Sequence, residues 1–100
     1  MDKTETNRFN ELYENHKRLL KLQGKSQKTI DAYSRAVRRI SQYFDCCPDL
    51  LTTEQLEKYF SDLVESHSWS TVKIDRNGLQ FFWKYVLKQD WQWINIMTRL

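Results

Sequence analysis

The sequence is short of the residues that break chains and staple them. One hundred residues contain two glycines, one proline and two cysteines. With so few turn formers, helices are favoured. Cys46 and Cys47 are neighbours, and a bridge between adjacent cysteines needs a strained ring, so no structural disulfide is expected. Without a second cysteine pair or a nearby histidine they make no zinc site. Free thiols in a reducing cytoplasm are the expectation. No segment approaches the roughly 20 apolar residues of a membrane span, and Met1-Asp2-Lys3-Thr4-Glu5 is too polar for a secretory signal. Charge of one sign is lacking too. Sixteen Lys and Arg stand against thirteen Asp and Glu, a net of +3 that decides little by itself.

Catalytic constellations are also missing. The chain has no Gly-rich phosphate loop, no metal-ligand spacing and no nucleophilic triad. His16 and His67 fall in separate helical segments, and His16 lies on an apolar face, which reads as a hydrogen-bonded core histidine. Glu54, Glu57 and Asp62 read as a solvated helix face. No catalytic residue, cofactor, metal or small-molecule substrate is expected.

What is abundant is core material: four Trp, five Tyr and five Phe. A chain of this length makes one domain and buries roughly two thirds of its unfolded surface. Four helices read out. The first spans about Asn7 to Leu22, with Phe9, Leu12, Tyr13, His16, Leu19 and Leu20 on one face and Gly24 just beyond its end. The second runs from Ser26 or Gln27 to Phe44. Its stripe of Ile30, Tyr33, Val37, Ile40 and Phe44 falls within about 80°, with Lys28, Arg35, Arg38, Arg39 and Gln42 opposite. Pro48 then breaks the chain. The third runs from Thr53 to His67 behind a Thr52/Gln55 capping box, with an acidic outer side. The fourth starts near Ser70 and reaches about Lys88. It carries two apolar stripes, Val72, Leu79, Phe82 and Val86, then Ile74, Phe81 and Tyr85. Two wrapped sides leave a narrow polar window of Lys73, Arg76, Asn77, Gln80 and Lys84.

Two helix starts repeat one another. Ser26-Gln27-Lys28-Thr29 and Ser68-Trp69-Ser70-Thr71 each put a Thr three residues after a Ser. Either one alone is an ordinary cap. Together they are followed, nine and twelve residues after the first Ser, by Arg35 and Arg38 in one helix and by Asn77 and Gln80 in the other. Hydroxyls and free N–H groups at a helix start suit phosphate, while Arg, Asn and Gln read base edges. The pairing suggests a surface that grips a phosphate backbone in two places.

In order and spacing, Gly24 to Tyr33, Leu51 to Phe60, Ser70-Thr71-Val72 and Leu79 to Val86 resemble the N-terminal core-binding domain of tyrosine recombinases, the phage-integrase class. The resemblance covers about residues 7–90. It implies an all-α, four-helix SAM-like bundle that clamps one side of double-stranded DNA without catalysing strand exchange. The catalytic residues of that family belong to a separate C-terminal domain, and its partners are DNA, other recombinase protomers and its own catalytic domain. The setting it implies is cytoplasmic and nucleoid-associated. By position, the resemblance places Ser26, Lys28 and Thr29 on phosphate, with Arg35, Arg38 and Arg39 along the backbone or groove. It places Ser70, Thr71 and Lys73 on phosphate and points Arg76, Asn77 and Gln80 at the groove. Trp69 is expected to pack beneath the helix start. Residues 1–6 are expected to fray, and 91–100 to begin a linker to the absent catalytic domain. The alternative is a helical protein–protein interaction module using Trp91, Trp93 and Ile96.

Overall fold

The computed structural model describes residues 1–89. They form a helical bundle of α1 (Lys3–Leu22), α2 (Gln27–Phe44), a 3-10 turn (Pro48–Leu50), α3 (Thr53–Ser66) and α4 (Trp69–Phe81), which continues into a π turn (Phe82–Val86). No strand occurs among the described residues. The all-α, four-helix expectation is met. The linker expected at 91–100, and with it Trp91, Trp93 and Ile96, lies outside the described residues.

The helix ends are written locally. Gly24, at φ +77°, closes α1 with the N–H of Gly24 donating to the Lys21 carbonyl and that of Lys25 to the Leu20 carbonyl, at 3.0 and 3.1 Å. Thr52 and Gln55 form the reciprocal capping box of α3, at 3.2 and 2.8 Å. One boundary moves. α1 begins at Lys3, four residues before Asn7, so the stretch expected to fray contains a helical turn. Asp2 caps it by accepting from the Glu5 N–H at 2.7 Å. The turn is then tied down by distant partners. The Glu5 carboxylate accepts from the Cys47 N–H at 2.9 Å, and Arg8 grips Asp49 through two nitrogens at 2.8 and 3.2 Å. Those partners lie more than forty residues away, beyond the reach of any periodicity argument.

The main core joins Val37 and Ile40 of α2, Leu56, Tyr59, Phe60 and Leu63 of α3, and Val72, Leu79 and Phe82 from α4 and its π turn. A smaller cluster of Leu20, Ile30 and Phe81 sits at the other end of α2. The π turn spreads three consecutive bulky residues, Phe81, Phe82 and Trp83, and all three are buried. His16 is fully buried too, edge-on to Phe81 and Phe82 at 5.5 and 5.4 Å between ring centres. Among the described residues neither ring nitrogen makes a hydrogen bond of ordinary geometry; the polar group that acts on the ring is the Tyr33 backbone, and aromatic rings fill the rest of its surroundings.

The contact between α2 and α4 organises the bundle. Ile30 clusters with Phe81, Gly78 lies against Tyr33 and Ala36, and Arg39 pairs with Asp75. Residue numbers rise along α2 as they fall along α4, so the two helices run antiparallel. A Cβ on Gly78 would sit 2.9 Å from the Tyr33 Cα and 3.2 Å from the Ala36 Cβ, so the backbones meet where only glycine fits.

The fourth helix is less enclosed than its two stripes imply. Val72, Leu79, Phe82 and Val86 are buried, but Ile74 and Tyr85 are 42 % and 40 % exposed. Trp69, expected beneath the helix start, occupies the first helical position and is 50 % exposed. α4 meets α2 along the face of Val72, Asp75, Gly78 and Leu79, and this turns Ile74 outward.

Candidate nucleic-acid interface

The two repeated helix starts adopt one geometry. Ser26 caps α2, with Oγ accepting from the Thr29 N–H at 3.2 Å and lying 3.1 Å from Thr29 Oγ1. Ser68 caps α4 in the same way, with the Thr71 N–H at 3.3 Å and Thr71 Oγ1 at 3.2 Å. The cap of α4 is therefore Ser68, whereas Ser70 is a second-position residue equivalent to Lys28. Ser68 is absent from the expected contact set although the repeated Ser-x-x-Thr spacing singles it out. Each Ser takes up its own cap's N–H, and the N–H groups of the first two helical residues remain directed outward.

Because α2 and α4 run antiparallel, these starts lie at opposite ends of the pair. Ser26 precedes the Tyr33 contact by seven residues and Ser68 precedes Gly78 by ten. At 1.5 Å per residue the two caps stand roughly 20–30 Å apart. Lys28, Arg35, Arg38, Lys73 and Asn77 are exposed along the helices between them, and Thr29, Thr71, Arg76 and Gln80 are half-buried. Lys28, Arg35, Arg38 and Lys73 form no ion pair among the described residues. The exposed carboxylates Glu54, Glu57, Asp62 and Glu65 belong to α3. Asp62 there accepts from the Tyr43 hydroxyl and pairs with Lys58 at 3.7 Å.

Arg39 differs from the other arginines. Its guanidinium donates to Asp75 at 2.6 Å, and the Asp75 side chain is only 4 % exposed. Burial raises the Asp75 pKa, and Arg39 opposes that rise. Arg39 is thus committed to holding α2 on α4, a role its place among outward-facing residues of α2 does not suggest. It still borders a shallow cleft of about 340 Å³ with Arg35, Arg38 and Gln42, a lining that contains no carboxylate. Asp75 itself is invisible as an inward residue, since a charged side chain in α4 reads as solvated until its partner is known.

Past Gly78, Asn77 and Gln80 form one wall of a second cleft of about 260 Å³. Gln23, Lys25, Tyr33, Phe81, Lys84 and Tyr85 complete it. Arg76 leans on Asn77, with Nη2 3.4 Å from Oδ1, and its buried Nε has no partner. Cys46 and Cys47 are free, and burial pushes the Cys47 thiol up to about 11, so neither is poised as a nucleophile. Among the described residues no cluster of three His, Cys, Asp or Glu side chains could hold a metal ion. No helix among them is long and apolar enough to cross a membrane.

No curated protein and no solved structure matches the chain. A family does. The phage integrase N-terminal SAM-like domain matches residues 12–93, a span that takes in the second half of α1 and all of α2, α3 and α4. That span, together with the helical bundle, places this chain in the family of phage integrase N-terminal SAM-like domains.

Proposed function

We propose that this chain is the non-catalytic, duplex-gripping domain of a site-specific tyrosine recombinase or integrase, acting on nucleoid DNA. The observation that carries the reading is the pair of matched Ser/Thr helix starts at opposite ends of the antiparallel α2/α4 pair, with unpaired basic side chains between them. Ser26, Lys28, Thr29, Ser68, Ser70, Thr71 and Lys73 would meet phosphates, because hydroxyls, ammonium groups and helix N-termini are what phosphate oxygens accept from. Arg35, Arg38, Asn77 and Gln80 would lie over the groove, where Arg reads guanine and Asn or Gln reads adenine. Arg39 would act chiefly through Asp75. Strand cleavage falls to a catalytic domain and strand exchange to other protomers, both of them partners of this one.

The test is duplex binding by the Arg35→Glu/Lys73→Glu variant, followed by fluorescence anisotropy, with circular dichroism as a folding control. Both side chains are exposed and in no ion pair among the described residues; Arg35 acts on Asp75 only as a cause that ranks below Arg39, so the fold should stay intact while duplex binding is lost. Unchanged binding by the folded variant removes the α2/α4 face from consideration.

A further inference from the structure

The cleft between the α1–α2 turn and the end of α4 has a lining that a phosphate backbone alone does not require. Three kinds of group converge on it. Tyr33, Phe81 and Tyr85 supply rings, Gln23, Asn77 and Gln80 supply amides, and Lys25 and Lys84 supply positive charge with no carboxylate in the lining. The Tyr85 ring is 40 % exposed and tilts against Phe81, with centroids 4.8 Å apart. Lys84 Nζ lies over the Tyr85 ring, 5.4 Å from its centre, so a base laid on that face would take the place of the ammonium, which is free to swing to a phosphate beside it. Both Lys84 and Tyr85 ride on the π turn at Phe82–Val86, and such wide turns occur frequently at functional sites.

We propose that this cleft takes one unpaired nucleotide. The base would lie against Tyr85 with its edge toward Asn77 and Gln80, and the phosphate would sit by Lys25 and Lys84. The proposal rests on the DNA reading above and adds a second substrate feature to it. An acidic peptide would satisfy the lysines and leave the rings and amides idle. An apolar ligand would leave the lysines idle. A nucleotide uses all three, because every base has a π face for stacking and an edge for amides. Size limits the occupant to one: about 260 Å³ is smaller than the roughly 300–1,000 Å³ of clefts for drug-sized ligands. Position supports the choice as well, since Asn77 and Gln80 belong both to this wall and to the polar side of α4. A nucleotide displaced from a duplex held there would be beside the opening.

The experiment compares three labelled DNAs with the 100-residue chain by anisotropy: a perfect duplex, the same duplex with one extra unpaired nucleotide, and that bulge made abasic. The base-bearing bulge should bind roughly tenfold more tightly than the other two, the scale of one base stacked on an aromatic ring. Tyr85→Ala should abolish that preference and leave perfect-duplex affinity within about twofold of wild type. Because Tyr85 packs on Phe81, Lys25→Glu on the exposed turn is a second variant, and it should weaken the bulge more than the duplex. Equal affinity for the base-bearing and abasic bulges, or a preference that survives both substitutions, overturns the cleft while the duplex reading stands. Failure to bind any of the three overturns both.

Discussion

His16 shows how one residue can set the acid tolerance of a small bundle. Its imidazole is wholly buried between two phenylalanines, and burial outweighs the influence of the Tyr33 backbone, lowering its pKa from the ordinary 6.5 to about 4. The unfolded chain therefore takes up this proton more readily than the folded one. Stability from the neutral imidazole is complete above pH 6.5 and drains away as the pH falls from there toward 4. The full difference is about 3 kcal/mol, at 1.36 kcal/mol per unit. Urea melts at pH 7.5 and 4.5 check this. Wild type should lose about 2–3 kcal/mol more across that interval than His16→Leu, with other carboxylates common to both. The single-residue scale also holds the position hardest to read from sequence. A histidine on an apolar face announces burial, but nothing in its neighbourhood announces that the Tyr33 backbone, seventeen residues on, is the polar group that acts on the ring.

Between helices, Arg39 and Asp75 form a clasp whose two halves respond unequally to removal. Arg39→Ala strips a buried carboxylate of the guanidinium bonded to it and leaves only the weaker pull of His67 and Arg35; it should cost about 3 kcal/mol, the low end for broken buried pairs. Asp75→Asn keeps the shape and removes the charge that burial opposes, so it should cost much less. Thermal melts of the two variants distinguish them. A loss of DNA binding in Arg39→Ala alone would then reflect the fold and not a lost phosphate contact. The same pair marks how far sequence reasoning reaches. Capping at Thr52, the glycine end at Gly24 and the stripe of Val72, Leu79 and Phe82 follow from spacings of three, four and seven residues, and the structure has them all. Features made by residues 36 to 42 positions apart were out of reach: the Arg39–Asp75 clasp, the Arg8–Asp49 tie and the hold of Glu5 on the Cys47 N–H; the early start of α1 had a local sign in Asp2 and Glu5, three residues apart. Of the candidate contact residues, sequence order placed both helix starts on α2 and α4. It did not give Ser68 as the cap of α4 or Asp75 as the partner of Arg39, because neither the register of a cap nor the partner of an arginine is settled until the helices meet.

For the molecule as a whole, affinity for duplex DNA should be mainly electrostatic. Only cations release counterions, so with Lys28, Arg35, Arg38 and Lys73 at the duplex log K should fall with log salt at a slope of roughly −3 to −4, as an anisotropy series from low to moderate salt would measure. The Arg35→Glu/Lys73→Glu variant should flatten that slope by about two before binding disappears. The four exposed carboxylates of α3 lie off the α2/α4 pair, which itself carries one exposed carboxylate, Asp31, against the exposed cations Lys28, Arg35, Arg38 and Lys73.

The glycine at the crossing of α2 and α4 gives that pair a further property. Backbone rests on backbone at Gly78, with no side chain between them to change rotamer and let the helices slide. The pair works as a caliper locked at one opening. A duplex gripped there, as proposed, would have to bring its own phosphates to the jaws, and the adjustment on binding would fall to the DNA. On the proposed duplex-gripping role, how readily a given base sequence bends or twists to fit would then enter what is discriminated, even at base pairs that are never touched.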